Sequence, residues 1–172
     1  ISVYCSSKAK AMEHVLLVGG GDGLDLQFFN PSIKVTYLDS AVLMLNIAKR
    51  KYVKRENTEF ILSDFNEFAL KEQGQFDLVC LHFCLTVTNN PSLMLEGVSK
   101  LLKRGGLLSI LDMGKVKQNR LSKTLNFVTK QTMFNMFYDI EGAMKQHGEL
   151  VLVNKNPLIE SNKFVAYIYE KK

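Results

Sequence analysis

Short apolar runs alternate along this chain with segments of helical hydrophobic spacing, and this alternation constrains the fold more than any other feature. Strands that alternate with helices form βαβ units, in which the strands lie parallel and helices cover both sheet faces. We therefore predict an α/β fold, a Rossmann-like three-layer sandwich built on a mostly parallel sheet.

The elements can be placed from glycines, prolines and hydrophobic spacing. Ser40 is predicted to cap the second helix, Gly105-Gly106 to end the third, and a loop with Pro157 to join two antiparallel edge strands. The predicted strands are His14–Val18, Lys34–Leu38, Glu59–Leu62, Asp77–Leu81, Leu107–Leu111, Leu150–Val153 and Phe164–Tyr169. The predicted helices begin at Leu24, after Ser40, at Pro91 and near Met133, the last ending near Gln146.

Length and composition fit one globular domain, 1–172. The chain has 172 residues, 47% hydrophobic and 23% charged, and no apolar run long enough to cross a bilayer. It begins at Ile1 without a signal-peptide pattern, so we expect a cytoplasmic protein whose N-terminal lid region is short or missing. Three cysteines are too few for a disulfide framework; Cys80 and Cys84 are expected in the core, and no metal site is predicted.

The net charge is +5, and the basic residues form two clusters. One cluster follows the second predicted helix, and the other, between Lys115 and Lys130, has five basic side chains and no acid. Such runs are usually solvated surface. A patch for nucleic acid, an acidic lipid surface or an anionic substrate is the alternative. The first cluster is Lys49, Arg50, Lys51, Lys54 and Arg55.

Glycines follow the first predicted strand, at the sheet edge where α/β proteins bind ligands. Gly19, Gly20 and Gly21 allow the backbone to approach a ligand closely, and the helix after them offers free N–H groups. The dinucleotide pattern G-x-G-x-x-G is absent because Leu24 occupies the place of its last glycine. An NAD site is therefore disfavoured.

Carboxylates follow the next two strands. Asp39 comes 20 positions after Gly19, where an acid can accept hydrogen bonds from both hydroxyls of a ribose; otherwise it would cap a helix. Asp64 can accept from an adenine amino group while the Phe65 N–H faces a ring nitrogen; the alternative is a turn acid. Ser40, beside Asp39, is included among the cofactor-binding candidates.

Five segments together resemble class I S-adenosylmethionine-dependent methyltransferases, most closely the small-molecule branch with the quinone-biosynthesis enzymes. The segments are VLLVGGGDG, VTYLDSAVLMLNIAKR, FILSDF, FDLVCLHFCLTVTNNP and LLKRGGLLSILD, in the family's order and spacing. The resemblance implies a seven-stranded sheet with the last strand antiparallel and S-adenosylmethionine as cofactor. It implies that Gly19–Gly21 hold the methionine part, Asp39 the ribose, and Asp64 with Phe65 the adenine. The main-chain carbonyl near His82 would face the cofactor's ammonium group.

The chain departs from that family at three places. An acid usually stands two residues before the first glycine, where this chain has Leu17; Asp22 is a candidate replacement. The family usually has a longer N-terminal lid, and Thr86 and Val87 replace histidines often found after the fourth strand. The Leu17 departure leaves open whether the chain is active.

The predicted reaction is methyl transfer to a small or apolar acceptor. It depends mainly on alignment, so a general base is optional. His82 is the first candidate for such a base and Asp112 the second, with packing or capping roles as the alternative for each. The apolar segment from Met113 to Tyr138 would contact the acceptor unless it belongs to the core.

Three other functions stay open at this stage. An aminopropyltransferase has a similar glycine turn, but Leu81–Asn90 contains no acid to bind a polyamine. A non-catalytic methyltransferase-like scaffold would explain Leu17, and nucleic-acid methylation would use the basic run. A partner chain or a homodimer is also left open.

Overall fold

The computed structural model describes residues 12–113, 138–158 and 164–172, which together build one seven-stranded sheet. The strands are β1 (His14–Val18), β2 (Lys34–Asp39), β3 (Thr58–Leu62), β4 (Phe76–His82), β5 (Leu102–Met113), β6 (Leu150–Pro157) and β7 (Phe164–Lys171). Their order across the sheet is β3-β2-β1-β4-β5-β7-β6.

The pairing confirms the predicted fold class. Strands β1 to β5 pair in parallel, whereas β7 runs antiparallel to both β5 and β6. β1 lies between β2 and β4, so the strand order reverses there and the carboxyl ends of neighbouring strands diverge. A crevice at this reversal is where open α/β sheets bind ligands.

In the described ranges, five short helices flank the sheet. They are a 3₁₀-helix (Leu24–Phe28), α1 (Val42–Lys51), α2 (Phe65–Lys71), α3 (Pro91–Leu101) and α4 (Ile140–Met144). Sequence analysis missed α2, although Asp64 followed three residues later by Glu67 is a capping-box pattern. Residues 133–137 of the last predicted helix lie outside the described residues.

Several predicted boundaries differ from the structure, and three of the differences have a clear physical reason. The N-cap of α1 is Ala41 rather than Ser40, because the Asp39 carboxylate accepts the Ala41 N–H at 2.8 Å. β5 begins at Leu102, before the glycine pair, since Gly105 (φ +76°) and Gly106 lie at a register shift within the strand. Pro157 ends β6 instead of lying in the loop.

The core has two layers, one on each sheet face. Leu26, Leu45 and Ala48 pack against one face of β1, β2 and β4, under the 3₁₀-helix and α1. Phe65, Leu95 and Ile140 pack against the other face, under α2, α3 and α4. Cys80 and Cys84 are both buried, as predicted for core cysteines.

Candidate functional site

A cavity of about 290 Å³ opens at the carboxyl ends of β1, β2 and β3, beside the loop that follows β4. This is the edge of the sheet at which the sequence predicted a ligand. Five predicted cofactor-binding residues line the cavity, whereas Gly20, Gly21 and His82 do not. The lining residues are Val18, Gly19, Leu38, Asp39, Ser40, Ser63, Asp64, Phe65, Phe83, Cys84, Val87, Thr88, Asn89 and Met94.

The glycine turn after β1 has left-handed backbone at Gly19 (φ +59°) and Gly21 (φ +60°), which favours glycine at both places. Gly20 is required for a different reason. A Cβ atom there would lie 2.4 Å from the ring of Tyr37, a fully buried side chain of β2. The Tyr37 hydroxyl donates to the Gly21 carbonyl oxygen at 2.6 Å. The Tyr37 ring therefore occupies the space that a side chain at position 20 would need, and its hydroxyl holds the turn at Gly21.

Asp39, the last residue of β2, is buried yet lines the cavity. One carboxylate oxygen accepts the Gly21 N–H at 3.0 Å and the other accepts the Ala41 N–H at 2.8 Å. A carboxylate oxygen has two acceptor sites, so each keeps capacity for a further donor. Asp39 thus holds the glycine turn and α1 together and can still bind a ligand hydroxyl.

Asp64 and Phe65 begin α2 at the opposite wall. The Asp64 carboxylate accepts the Asn66 N–H at 2.7 Å, so the predicted turn role is present. The side chain is exposed at the cavity. Phe65 buries its ring in the core, and as the first helical residue its N–H has no acceptor within the helix. One carboxylate and one N–H are therefore presented side by side.

The loop after β4 turns back at Phe83, whose backbone is left-handed (φ +56°) although it is not glycine. Its N–H donates to the Leu111 carbonyl oxygen at 2.7 Å. Such a conformation is costly and persists where surrounding contacts fix it, often at functional sites. The turn leaves the Phe83 side chain half exposed in the cavity wall, with its ring edge-to-face against Phe164 at 5.8 Å.

Cys84 is buried at the floor of the cavity. Its Sγ lies 3.0 Å from the Val18 carbonyl oxygen and 3.3 Å from the His82 carbonyl oxygen, so the thiol proton can be donated to either. Burial raises the pKa of the Cys84 thiol to about 12, and the charges of Asp112 and Asp39 add to the shift. The thiol is therefore a neutral donor to carbonyl groups at the strand ends, not a nucleophile.

Asp112, the second candidate base, is fully buried and supports the loop instead. Its carboxylate accepts four hydrogen bonds: the N–H groups of Leu85 (3.0 Å), Thr86 (3.2 Å) and Met113 (2.8 Å), and the Thr86 hydroxyl (2.8 Å). All of its acceptor capacity is used. The expectation that Asp112 could accept a proton from substrate is wrong, because the side chain does not reach the cavity.

His82 ends β4 with its imidazole outside the cavity. Nδ1 lies 2.7 Å from the Asp25 carboxylate and Nε2 lies 3.1 Å from the Ser109 hydroxyl. Both ring nitrogens are thus engaged, and the catalytic role predicted for His82 has no support in this arrangement. Its predicted cofactor contact used the main-chain carbonyl, which lies beside Cys84.

Asp22, the candidate replacement for the usual acid at the glycine turn, is engaged elsewhere. Leu17 is 1% exposed and belongs to the core beneath the 3₁₀-helix. Asp22 is exposed and pairs with Lys51 at 2.9 Å, so it faces away from the cavity. Hydrogen bonding to Lys51 lowers the pKa of Asp22.

Phe83 was expected beside the site, at the end of the fourth strand, but its left-handed backbone was not predicted. The roles of Tyr37 under the glycine turn and of Cys84 at the cavity floor were not predicted either. Tyr37 had a signal in the sequence. A run of three glycines beside a strand with a large side chain suggests that this side chain occupies the space left by a missing Cβ atom. The Phe83 backbone had none, because left-handed geometry at a phenylalanine follows from tertiary contacts. The acceptor segment and the second basic run lie mainly within residues 114–137, outside the described residues.

Two further observations concern metal ions and membranes. Within the described ranges, no group of three or more His, Cys, Asp or Glu side chains could hold a metal ion. No helix in the same ranges is both long enough and apolar enough to cross a membrane.

Comparisons with known proteins bear on the family and the fold. The family model described as "Methyltransferase domain" matches residues 16–110. A demethylmenaquinone methyltransferase of Leptospira interrogans is 35% identical over 107 residues, covering 59% of this chain and 43% of that protein. The chain therefore spans less than half the length of this curated relative.

Solved structures show the same fold at low identity. An O-methyltransferase family protein from Burkholderia thailandensis has a TM-score of 0.74 at 18% identity, with 95% of this chain and 52% of that chain covered. The N-methyltransferase NodS from Bradyrhizobium japonicum, solved with S-adenosyl-L-homocysteine, has a TM-score of 0.74 at 14% identity, with 98% and 83% covered.

The sheet order, the glycine turn and the acid after β2 define a Rossmann-like domain of the class I methyltransferase type. The family match covers more than half of the chain, and the chain belongs to the methyltransferase domain family. S-adenosylmethionine is the cofactor of that family, which confirms the expected cofactor class. The matches lend no support to aminopropyl transfer or to a non-catalytic scaffold.

Proposed function

We propose that this chain binds S-adenosylmethionine in the cavity at the ends of β1, β2 and β3 and transfers its methyl group to a small, apolar acceptor. One observation carries the proposal: the buried Asp39 carboxylate lines a cavity of about 290 Å³, and each of its oxygens accepts one hydrogen bond from the described residues. A buried carboxylate with acceptor capacity left over suits a pair of ribose hydroxyls.

The other lining residues fit the remaining parts of a nucleoside cofactor. Asp64 and the Phe65 N–H offer an acceptor and a donor side by side, as an adenine edge requires. Gly19 lines the cavity beside Val18, and the methionine part would extend along this backbone. Phe65 and Met94 add apolar surface to the lining. The lining therefore offers a donor, acceptors and apolar surface to a nucleoside cofactor.

When bound, S-adenosylmethionine supplies an activated methyl group, and transfer requires alignment of the acceptor more than acid or base catalysis. The chain's residues would serve that alignment. Asp39 fixes the glycine turn relative to α1, and Asp112 fixes the loop after β4 through four hydrogen bonds. The two carboxylates thus fix two segments that contribute lining residues to the cavity.

Exposed apolar residues at the rim of the cavity support an apolar acceptor. Phe83 and Val87 line the cavity and remain 49% and 44% exposed, so they present apolar surface where an acceptor would enter. The relative from Leptospira is named for a quinone substrate. We therefore propose a planar apolar acceptor, with reduced 1,4-naphthoquinone as the probe.

Titration calorimetry with S-adenosylmethionine and S-adenosylhomocysteine tests the cofactor, and transfer of a labelled methyl group to reduced 1,4-naphthoquinone tests the acceptor. We expect micromolar binding of both nucleosides and labelled product. Absence of binding for both would overturn the proposal. Binding without transfer to the probe would remove only the acceptor class.

A non-catalytic scaffold is the second candidate, because Leu17 is buried in the core where the family usually has an acid. A scaffold that has lost catalysis need not bind the cofactor. The same calorimetry separates the two functions, since a scaffold of this kind would keep its fold and bind neither nucleoside.

A further inference from the structure

The outer surface of the 3₁₀-helix and α1 combines exposed apolar side chains with unpaired basic ones. We call it the outer helical face. Its apolar part is Leu24 (54% exposed), Phe28 (69%), Leu43 (67%) and Ile47 (40%). Its basic part is Lys49, Arg50 and Lys54, all exposed. The described residues hold no ion-pair partner for these three cations.

These residues share one surface because both helices pack on the same side of the sheet. Leu26, Leu45 and Ala48 are the buried residues of the two helices and belong to one core cluster. In α1, Leu43, Ile47 and Arg50 are spaced four and three residues apart, so they lie along one line opposite the buried side. The outer helical face therefore points away from the protein.

The charged residues in and next to α1 are all basic. From Ser40 to Arg55 the chain has five basic residues and no acid. Lys51 is paired with Asp22, and the Arg55 guanidinium donates to the carbonyl oxygens of Phe29 and Asn30 at 3.0 and 2.8 Å. The other three cations stay available to an external partner with negative charge.

We propose that the outer helical face docks on an anionic lipid bilayer. An interface of apolar side chains beside Lys and Arg fits a membrane surface, where the apolar groups enter the headgroup region and the cations meet lipid phosphates. Nucleic acid fits less well, because its phosphates offer nothing to Leu43 and Ile47. The 3₁₀-helix and α1 are too short to cross the bilayer, so the contact is peripheral.

The outer helical face and the cavity are separate surfaces. α1 begins two residues after Ser40, which lines the cavity, but the lining residues Leu38 and Phe65 belong to the core layer on the other face of the sheet. The docking proposal stands without the proposed function, since it depends on surface residues that do not line the cavity.

Vesicle co-sedimentation tests the proposal. The probes are phosphatidylcholine vesicles with and without phosphatidylglycerol, each at low and high salt. We expect binding to the anionic vesicles only, reduced but not abolished by salt. Because each basic residue near an anionic surface strengthens binding about fivefold, Lys49→Gln/Arg50→Gln/Lys54→Gln should weaken it on the order of a hundredfold.

Two more variants complete the design. Leu43→Ser/Ile47→Ser should remove the salt-resistant part of the binding. Leu70→Ser/Lys71→Gln, an exposed apolar–basic pair on α2 across the sheet, should bind vesicles like the wild type. Circular dichroism of every variant monitors the fold, and calorimetry with S-adenosylhomocysteine monitors the cavity, so failure of docking and failure of the proposed function are distinguishable.

Several results would overturn the proposal. They are no binding to anionic vesicles, equal loss in the α2 control, or retained binding in the triple variant. A concentration-dependent dimer in gel filtration that Leu43→Ser/Ile47→Ser abolishes would assign the face to a second copy instead. RNA binding that the triple variant loses while vesicle binding is unchanged would assign it to nucleic acid.

Discussion

Two buried aspartates follow the same sequence pattern, at the carboxyl end of a parallel strand, and differ in how many of their acceptor sites the protein uses. Asp112 in β5 is 0% exposed and accepts four hydrogen bonds from its own chain. Asp39 in β2 is 7% exposed, accepts two, and lines the cavity. The comparison indicates that a buried carboxylate serves structure when it is saturated and serves a ligand when it is not.

The largest expected effect is on Asp112. Asp112→Ala should lower the free energy of unfolding by at least about 3 kcal/mol, because several buried donors lose their acceptor at once. Urea denaturation measures this loss, with Asp39→Ala as the matched control. If Asp39→Ala costs as much stability as Asp112→Ala, the two residues do not differ in the way described.

The second prediction concerns Asp39 and cofactor affinity. Asp39→Ala should weaken S-adenosylhomocysteine binding by about 1–3 kcal/mol through lost and unpaired hydrogen bonds. Calorimetry at constant temperature gives this difference. Unchanged affinity in a folded Asp39→Ala variant would remove Asp39 from the site.

The third prediction separates the stability cost of left-handed backbone from an effect on nucleoside binding. Gly21 and Gly74 both have positive φ, +60° and +57°, and a Cβ atom at either would meet nothing within 4 Å. Ala at each position should therefore cost a similar stability, about 1–2 kcal/mol from left-handed backbone. Only Gly21→Ala should also weaken nucleoside binding, because the Gly21 N–H bonds Asp39. Equal affinity in the two variants would contradict this.

The smallest expected effect is a change in the pKa of the Cys84 thiol, which responds to the charges of both Asp39 and Asp112. Burial contributes most to its raised pKa, followed by Asp112 and then Asp39. Asp39→Asn should therefore lower the thiol pKa slightly, and Asp112→Asn should lower it more if the protein folds. Thiolate absorbance in a background with Cys5 and Cys80 replaced measures the pKa, with Asp64→Asn as a control expected to cause no change.

The sign of the corresponding pH dependence follows from the same shift. The folded thiol keeps its proton to about pH 12, whereas the unfolded thiol loses it near pH 9. The contribution of Cys84 to stability is complete below pH 9 and is lost as the pH rises toward 12. A Cys84→Ala variant should lose less stability than the wild type across this range. An identical slope for both proteins would contradict the assignment.

Much of the fold could be predicted because apolar runs and glycines mark strands directly; β1 was predicted at both ends. The start of β5 could not be predicted in the same way, because a Gly-Gly pair such as Gly105-Gly106 is equally suited to ending a helix and to forming a bulge in a strand. Only the pairing of β5 with β4 decides between these two roles. Of the candidate site, the position of Asp39 followed from its spacing after Gly19. The sequence could not reveal how many hydrogen bonds the chain itself makes to Asp112, and the same limit applied to His82.

The placement of β7 has a consequence for the order of folding. Among the described strands, β6 bonds only to β7, although it is made first. During synthesis β6 has no hydrogen-bonding neighbour, and β5 stays an open edge until Phe164–Lys171 has been made and inserted between them. A nascent chain that ends before Phe164 would expose β5 to pairing with other chains, which makes aggregation of truncated forms the expected cost of this topology.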